Sequence, residues 1–168
     1  MREFGSGRKR ADSIIVSKCP TNLSQEQIDT LTKSLKFDTE RICFSSINYD
    51  SVVSLKNENF DIFDKALVVT GIGNPKPFVH RVAQSKEVAH LNFGDHHVFN
   101  SSNIKQIHQK IDTFANGLCA VITTEKDYMR LKNEKLNAFS HGTWFYWPIR
   151  INMREEEKLK HYILDYVG

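Results

Sequence analysis

Cysteine is scarce in this chain: three among 168 residues, at positions 19, 43 and 119. An odd count without metal-ligand spacing excludes a disulfide framework and fits reduced thiols in a cytosolic compartment. Long apolar runs are missing too. None approaches the roughly 20 residues that a membrane-spanning helix needs, and the charged first ten residues contain no apolar signal segment. The net charge is only +3, without the dense basic stripe of a nucleic-acid partner, so no nucleic acid is expected. No G-x-x-x-x-G-K-[ST] phosphate loop occurs anywhere. The nearest approach to a dinucleotide fingerprint, Gly71-Ile72-Gly73, fails because Lys76 stands where the third glycine belongs. Internal repeats and low-complexity tracts are also absent.

What is present describes a globular protein, 40% hydrophobic and 26% charged. A chain of this size hides roughly 70% of its unfolded surface. Two periodicities alternate along it. Short apolar runs at Ser13–Ser17, Arg41–Ile47, Ala66–Thr70, Val88–Phe93, Leu118–Thr123 and Trp144–Ile151 predict strands, the last at an edge or bulged because of Pro148. Helices are predicted between them. Ser24 with Gln27 has capping-box spacing ahead of Ile28, Leu31 and Leu35. Pro75 and Pro77 open a helix carrying Phe78, Val79 and Val82. Ile104, Ile107, Ile111 and Phe114 share a helical face that begins near Ser101 or Ser102, and Thr124 is a natural cap for the next helix. The last helix places Leu159, Tyr162, Ile163 and Tyr166 on one face. The expected class is α/β: a layered, mostly parallel sheet with helices on both faces.

Ligands of such sheets bind at the carboxyl ends of the strands, and three segments stand there. Gly71-Ile72-Gly73-Asn74-Pro75 reads either as a tight turn with glycines at positive φ or as backbone N–H groups facing an anion. Gly94-Asp95-His96-His97 reads either as a hydrogen-bonded loop or as a proton-handling pair, since histidine titrates near neutral pH. The other histidines, such as His80, His90 and His108, lack ligand spacing, so no metal site is evident. Thr123-Thr124-Glu125-Lys126-Asp127 is ordinary helix-start chemistry except for Lys126, a cation in a first turn, which suits a phosphate or a facing carboxylate. Near the start, Arg2, Arg8, Lys9 and Arg10 surround Gly5, Ser6 and Gly7. They form either a solvated arm or an anion-binding segment.

Taken in order, Arg2-Glu3-Phe4, Arg10-Ala11-Asp12, Lys18-Cys19-Pro20, Gly71 to Pro75, Phe93-x-Asp95-His96-His97 and Thr123 to Asp127 resemble the second half of the tetraacyldisaccharide 4'-kinases. The resemblance runs from Arg2 to about Leu131 and is loosest between Asn48 and Asp64 and after Lys132. It implies a kinase of lipid A assembly that moves the γ-phosphoryl group of ATP, with magnesium, to the 4'-hydroxyl of a tetraacylated glucosamine disaccharide 1-phosphate. Such enzymes work at the cytoplasmic face of the inner membrane of Gram-negative bacteria and join a P-loop core to a smaller α/β lobe. By that resemblance residues 1–48 are a remnant of the nucleotide-binding core, 49–65 a connecting segment and 66–168 the C-terminal lobe. The phosphate loop, the magnesium ligands and the membrane anchor are expected in an amino-terminal half that precedes this chain, so the chain alone is expected to be inactive. Carried over position by position, Asp95 and His96 are the catalytic pair, His96 acting with an aspartate of that other half. Arg2, Arg8, Arg10 and Lys126 are candidates for lipid phosphate, and Lys18 lies near the nucleotide. Two other classes stay open: a self-contained Rossmann-like enzyme or binding module for a phosphorylated ligand, using His96 and Lys126, and a non-catalytic docking module.

Overall fold

The computed structural model describes residues 5–116, 118–132 and 142–167. It divides into two compact units, residues 1–49 with 149–168 and residues 50–148.

The second unit is built on strands β4 (Lys65–Thr70), β5 (Glu87–Asn92), β6 (Ala120–Thr124) and β7 (Thr143–Trp147), with the two-residue β3 (Val53–Ser54) at one edge. The order is β3-β7-β6-β4-β5. Every pairing is parallel except that of β3 with β7. Ala66 to Thr70 and Ala120 to Thr123 are fully buried, as an uninterrupted apolar run must be when both sheet faces are covered. Leu67, Val69 and Val121 share one core cluster with Ile104, Ile107 and Ile111 of helix α3 (Ser101–Ala115). Helix α2 (Lys76–Ala83) buries Phe78 and Val82. Because β5 and β6 flank β4, right-handed crossovers send α2 and α3 to opposite faces. Helix α4 (Glu125–Leu131) follows β6 directly.

The first unit is a three-stranded sheet, β1-β2-β8. Strand β1 (Ile14–Cys19) runs parallel to β2 (Ile42–Tyr49), and β8 (Ile149–Met153) is antiparallel to β2. Helix α1 (Gln25–Leu35) starts at the expected capping box of Ser24 and Gln27. Its Ile28 packs with Ile42 and Phe44, flanked by Ile14, Val16, Leu31 and Leu35. Helix α5 (Glu156–Val167) closes the chain.

Three sequence expectations change. Trp144 to Ile151 is two strands, since Pro148 separates β7 from β8 and the two belong to different sheets. Residues 149–167 consequently pack in the first unit rather than with the C-terminal lobe. The stretch 49–65 holds β3 and a 3-10 turn at Phe60–Ile62 whose Phe60 is buried edge-on against Phe145. The predicted face of α5 is divided: Leu159 and Tyr162 are partly buried, whereas Ile163 and Tyr166 are more than half accessible.

Candidate active site

At the carboxyl end of the second sheet, β4 has β5 on one side and β6 on the other. The connections leaving β4 and β6 therefore diverge, the arrangement that marks the ligand-binding end of open α/β sheets. The loops after β4, β5 and β6 converge there.

The first loop is shaped by close approach. A Cβ on Gly71 would stand 3.1 Å from Asp127 Oδ1 and 3.3 Å from His97 Cβ, and one on Gly73 would stand 3.0 Å from Asp95 Oδ2. Neither glycine has positive φ; they are needed for lack of a side chain, which corrects the turn expected from sequence. The Gly71 N–H donates to Asp127 Oδ2 at 2.8 Å, so that amide is committed within the protein.

The second loop turns on two left-handed residues, Gly94 at φ +82° and His96 at φ +57°. A non-glycine residue held there stores strain, a feature concentrated at functional sites. Asp95 Oδ1 accepts from the His96 N–H at 3.0 Å, and Asp95 Oδ2 lies 3.7 Å from His96 Nε2. The His96 side chain is 74% exposed, whereas its neighbour turns inward. His97 stacks on Phe93 at 5.0 Å and reaches Asn103 Oδ1 through Nε2 at 2.9 Å. His97 thus ties the loop to α3 and leaves His96 presented to solvent.

The third loop is the start of α4. Thr124 caps it by accepting from the Asp127 N–H at 3.1 Å, and its hydroxyl donates to Asp127 Oδ2 at 2.9 Å. Asp127 is fully buried. Arg130, one turn on, donates to Asp127 Oδ1 at 3.3 Å and to the Gly71 carbonyl at 3.1 Å. Lys126 is exposed in the first turn. Behind the site, the Thr70 hydroxyl and His90 Nε2 are 2.8 Å apart, and burial pushes the His90 pKa down. Burial likewise pushes the Cys43 and Cys119 thiols up, so neither is poised as a nucleophile.

The structure thus brings Asp95 and His96 together with the helix start that carries Lys126. Lys18 and Arg10 belong to the first unit. Lys18 is exposed at φ +61°, where β1 slips register between Val16 and Cys19. Beside it a cavity of about 420 Å³ is lined by Cys19, Pro20, Thr21, Phe44, Ser45 and Arg154 among others. Arg10 is exposed at the end of a 3-10 segment, Gly5–Arg10. Arg2 and the side chain of Arg8 lie outside the described residues. Among the described residues no group of three His, Cys, Asp or Glu is placed to hold a metal ion.

The sequence model of the tetraacyldisaccharide-1-P 4'-kinases matches residues 1–168, the whole chain. The chain belongs to this family. It is 34% identical to the tetraacyldisaccharide 4'-kinase of Flavobacterium johnsoniae, over 99% of this chain and 48% of that protein. To the kinase of the same name from Bacteroides fragilis strain YCH46 it is 26% identical, over 99% and 48%. The chain therefore spans about half the length of these curated relatives. A crystal structure described as the "apo" form of LpxK from Aquifex aeolicus in complex with ATP superimposes with a TM-score of 0.54 at 19% identity, over 98% of this chain and 45% of that one. That likeness places the fold in the 4'-kinase architecture.

Two residues of the site escape a reading by motif alone. Asp127 looks like first-turn decoration, yet it is buried and ties the start of α4 to the loop after β4. Its signal was the Thr124-x-x-Asp127 spacing of a capping box, in which the carboxylate has been diverted from the cap's own N–H to Gly71. Arg130 carries no sequence signal beyond lying three residues after Asp127, on the same helix face.

Proposed function

We propose that this chain supplies one half of a kinase that transfers the γ-phosphoryl group of ATP to the 4'-hydroxyl of tetraacyldisaccharide 1-phosphate in lipid A biosynthesis. The observation that carries the reading is the Asp95–His96 loop, strained, exposed at His96 and packed against the β4 loop at the carboxyl end of the sheet. In this reading ATP and magnesium are bound mainly by an amino-terminal half, and the residues described here act on the acceptor. His96 orients an aspartate of that half, and the aspartate takes the 4'-hydroxyl proton. The freed oxygen then bonds to the γ-phosphorus as the bond to the β-phosphate oxygen breaks and ADP leaves. Catalysis of this kind is mostly positioning and charge stabilisation, so an imidazole presented from a fixed loop backbone is the contribution expected of such a lobe. Asp95 fixes the loop through the His96 N–H. Lys126 is assigned to substrate phosphate, with Arg2, Arg8 and Arg10, and Lys18 to the neighbourhood of the nucleotide. No described helix is long and apolar enough to cross a membrane; peripheral action at the cytoplasmic face of the inner membrane is part of the proposal.

The test joins the segment that precedes the matched region in the Flavobacterium johnsoniae kinase to this chain. Phosphate transfer from radiolabelled ATP to purified disaccharide 1-phosphate is then measured. The fusion should turn over and the chain alone should not. A folded but silent fusion overturns the kinase reading. Turnover by the chain alone would instead favour a self-contained enzyme.

A further inference from the structure

We infer that Arg130 is a positioning residue that sets which nitrogen of His96 carries the proton. The inference deepens the proposed function and rests on it only for its consequence in catalysis. Its basis is the geometry around a buried carboxylate. Asp127 is fully buried, and its Oδ2 accepts from both the Gly71 N–H at 2.8 Å and the Thr124 hydroxyl at 2.9 Å. Arg130 leans on this fixed anion. Its Nη1 donates to Asp127 Oδ1 at 3.3 Å and to the Gly71 carbonyl at 3.1 Å. Two acceptors on one nitrogen of a planar group fix the plane. The second terminal nitrogen, Nη2, then lies 3.4 Å from His96 Nδ1.

A guanidinium has donors only and keeps its charge at any working pH. Nδ1 must therefore be the acceptor, and the proton of the neutral ring sits on Nε2. Which ring nitrogen is protonated is set by the bond the other one makes. Nε2 is also the atom that faces Asp95 Oδ2, at 3.7 Å. The consequence is a histidine presented as a donor through Nε2, the form needed to hold a catalytic carboxylate by hydrogen bond. A chain of fixed contacts thus runs from the β4 loop through Asp127 and Arg130 to the exposed imidazole. Cap, glycine turn and His96 loop are one device.

The experiment reads the imidazole nitrogens of the ¹⁵N-labelled chain by long-range proton–nitrogen correlation, with a His96→Gln spectrum to assign the signals. Wild-type His96 should show an unprotonated Nδ1 and a protonated Nε2 at neutral pH. Arg130→Met removes the donor and should move both nitrogens toward averaged shifts, while the signals of His97, held by Asn103, stay in place. Arg130→Lys keeps a cation against Asp127 but lacks the second nitrogen, and should cause the same change. It is the variant to read if Arg130→Met melts early. A wild-type His96 protonated at Nδ1, or a pattern unchanged in a folded Arg130→Lys chain, overturns the inference. In the fused kinase, Arg130→Lys should lower kcat by about tenfold, a fraction of the usual proton-handling contribution, with KM for the disaccharide unchanged. A silent wild-type fusion would defeat the kinase reading while leaving the nitrogen measurement to decide the inference on its own.

Discussion

His96 and Lys126 sit within one loop cluster, yet the chemistry assigned to them differs, and kinetics separates it. His96 is exposed, strained and gripped through its backbone and Nδ1. In the fused kinase, His96→Ala should lower kcat by about 10²–10⁴-fold with a much smaller change in KM, because a proton-handling group acts in the transition state. Lys126 is exposed in the first turn of α4. Its replacement by Ala should alter stability by no more than about 0.5 kcal/mol. A phosphate contact should nonetheless cost about tenfold or more in kcat/KM; wild-type kinetics would return Lys126 to the surface of the helix. Asp95 and His96 stand out in the sequence as two polar residues after a predicted strand, but their assigned role comes from the family resemblance and not from that pattern. Asp127 and Arg130 do not stand out, because their importance lies in burial and in partners 56 and 59 residues away, which no local pattern records.

At the scale of elements, the buried strands were the most legible feature. Ala66 to Thr70 and Ala120 to Thr123 are continuous apolar runs, and only a doubly covered strand of that length uses one. Helix starts were legible to within a residue or two. Helix α3 starts at Ser101 as expected, and its cap is Asn100, whose Oδ1 accepts from the N–H groups of both Ser102 and Asn103. The stripe on α5 was also visible, but periodicity reports that an apolar face exists and not what covers it. The start of α4 gives a graded stability test. Thr124→Ala removes a cap worth about 1 kcal/mol and one of the donors to Asp127. Asp127→Ala removes the buried carboxylate itself and strands Arg130, whose side chain is only 24% exposed; breaking a buried pair in this way costs about 3 kcal/mol or more. Thermal or urea unfolding should therefore rank wild type above Thr124→Ala and Thr124→Ala above Asp127→Ala. Equal stability of the two variants would mean that Asp127 contributes nothing beyond the cap.

At the scale of the whole molecule, the chain passes between its two compact units twice, and the two crossings differ in how much local signal the sequence gives them. The division falls at Tyr49 and Asp50, next to the expected break at 48. The second crossing, at Pro148, was hidden because β8 pairs with β2, about a hundred residues earlier: Ser45 opposite Met153 and Tyr49 opposite Ile149. Nothing local in Ile149 to Met153 says that its partner lies so far back. Residues 50–148 thus form a continuous insertion whose two ends meet. The Asp50 N–H donates to the Pro148 carbonyl at 3.0 Å, and the Trp147 indole N–H donates to the Asp50 carbonyl. The segment contains its own five-stranded sheet, both covering helices and the buried Trp144. Segments with adjacent ends and a private core fold independently. Residues 50–148 expressed alone should unfold cooperatively and retain the near-ultraviolet signature of packed tryptophan. They should also keep the His96 loop, since Gly71, Asp95, Asp127 and Arg130 all lie within them. Residues 1–49 alone should not fold, because β2 would lose its β8 partner and the Phe44 N–H its Glu155 acceptor. A molten 50–148 segment, with helix content but no fixed tertiary signal, would show that the second unit depends on the first for its packing.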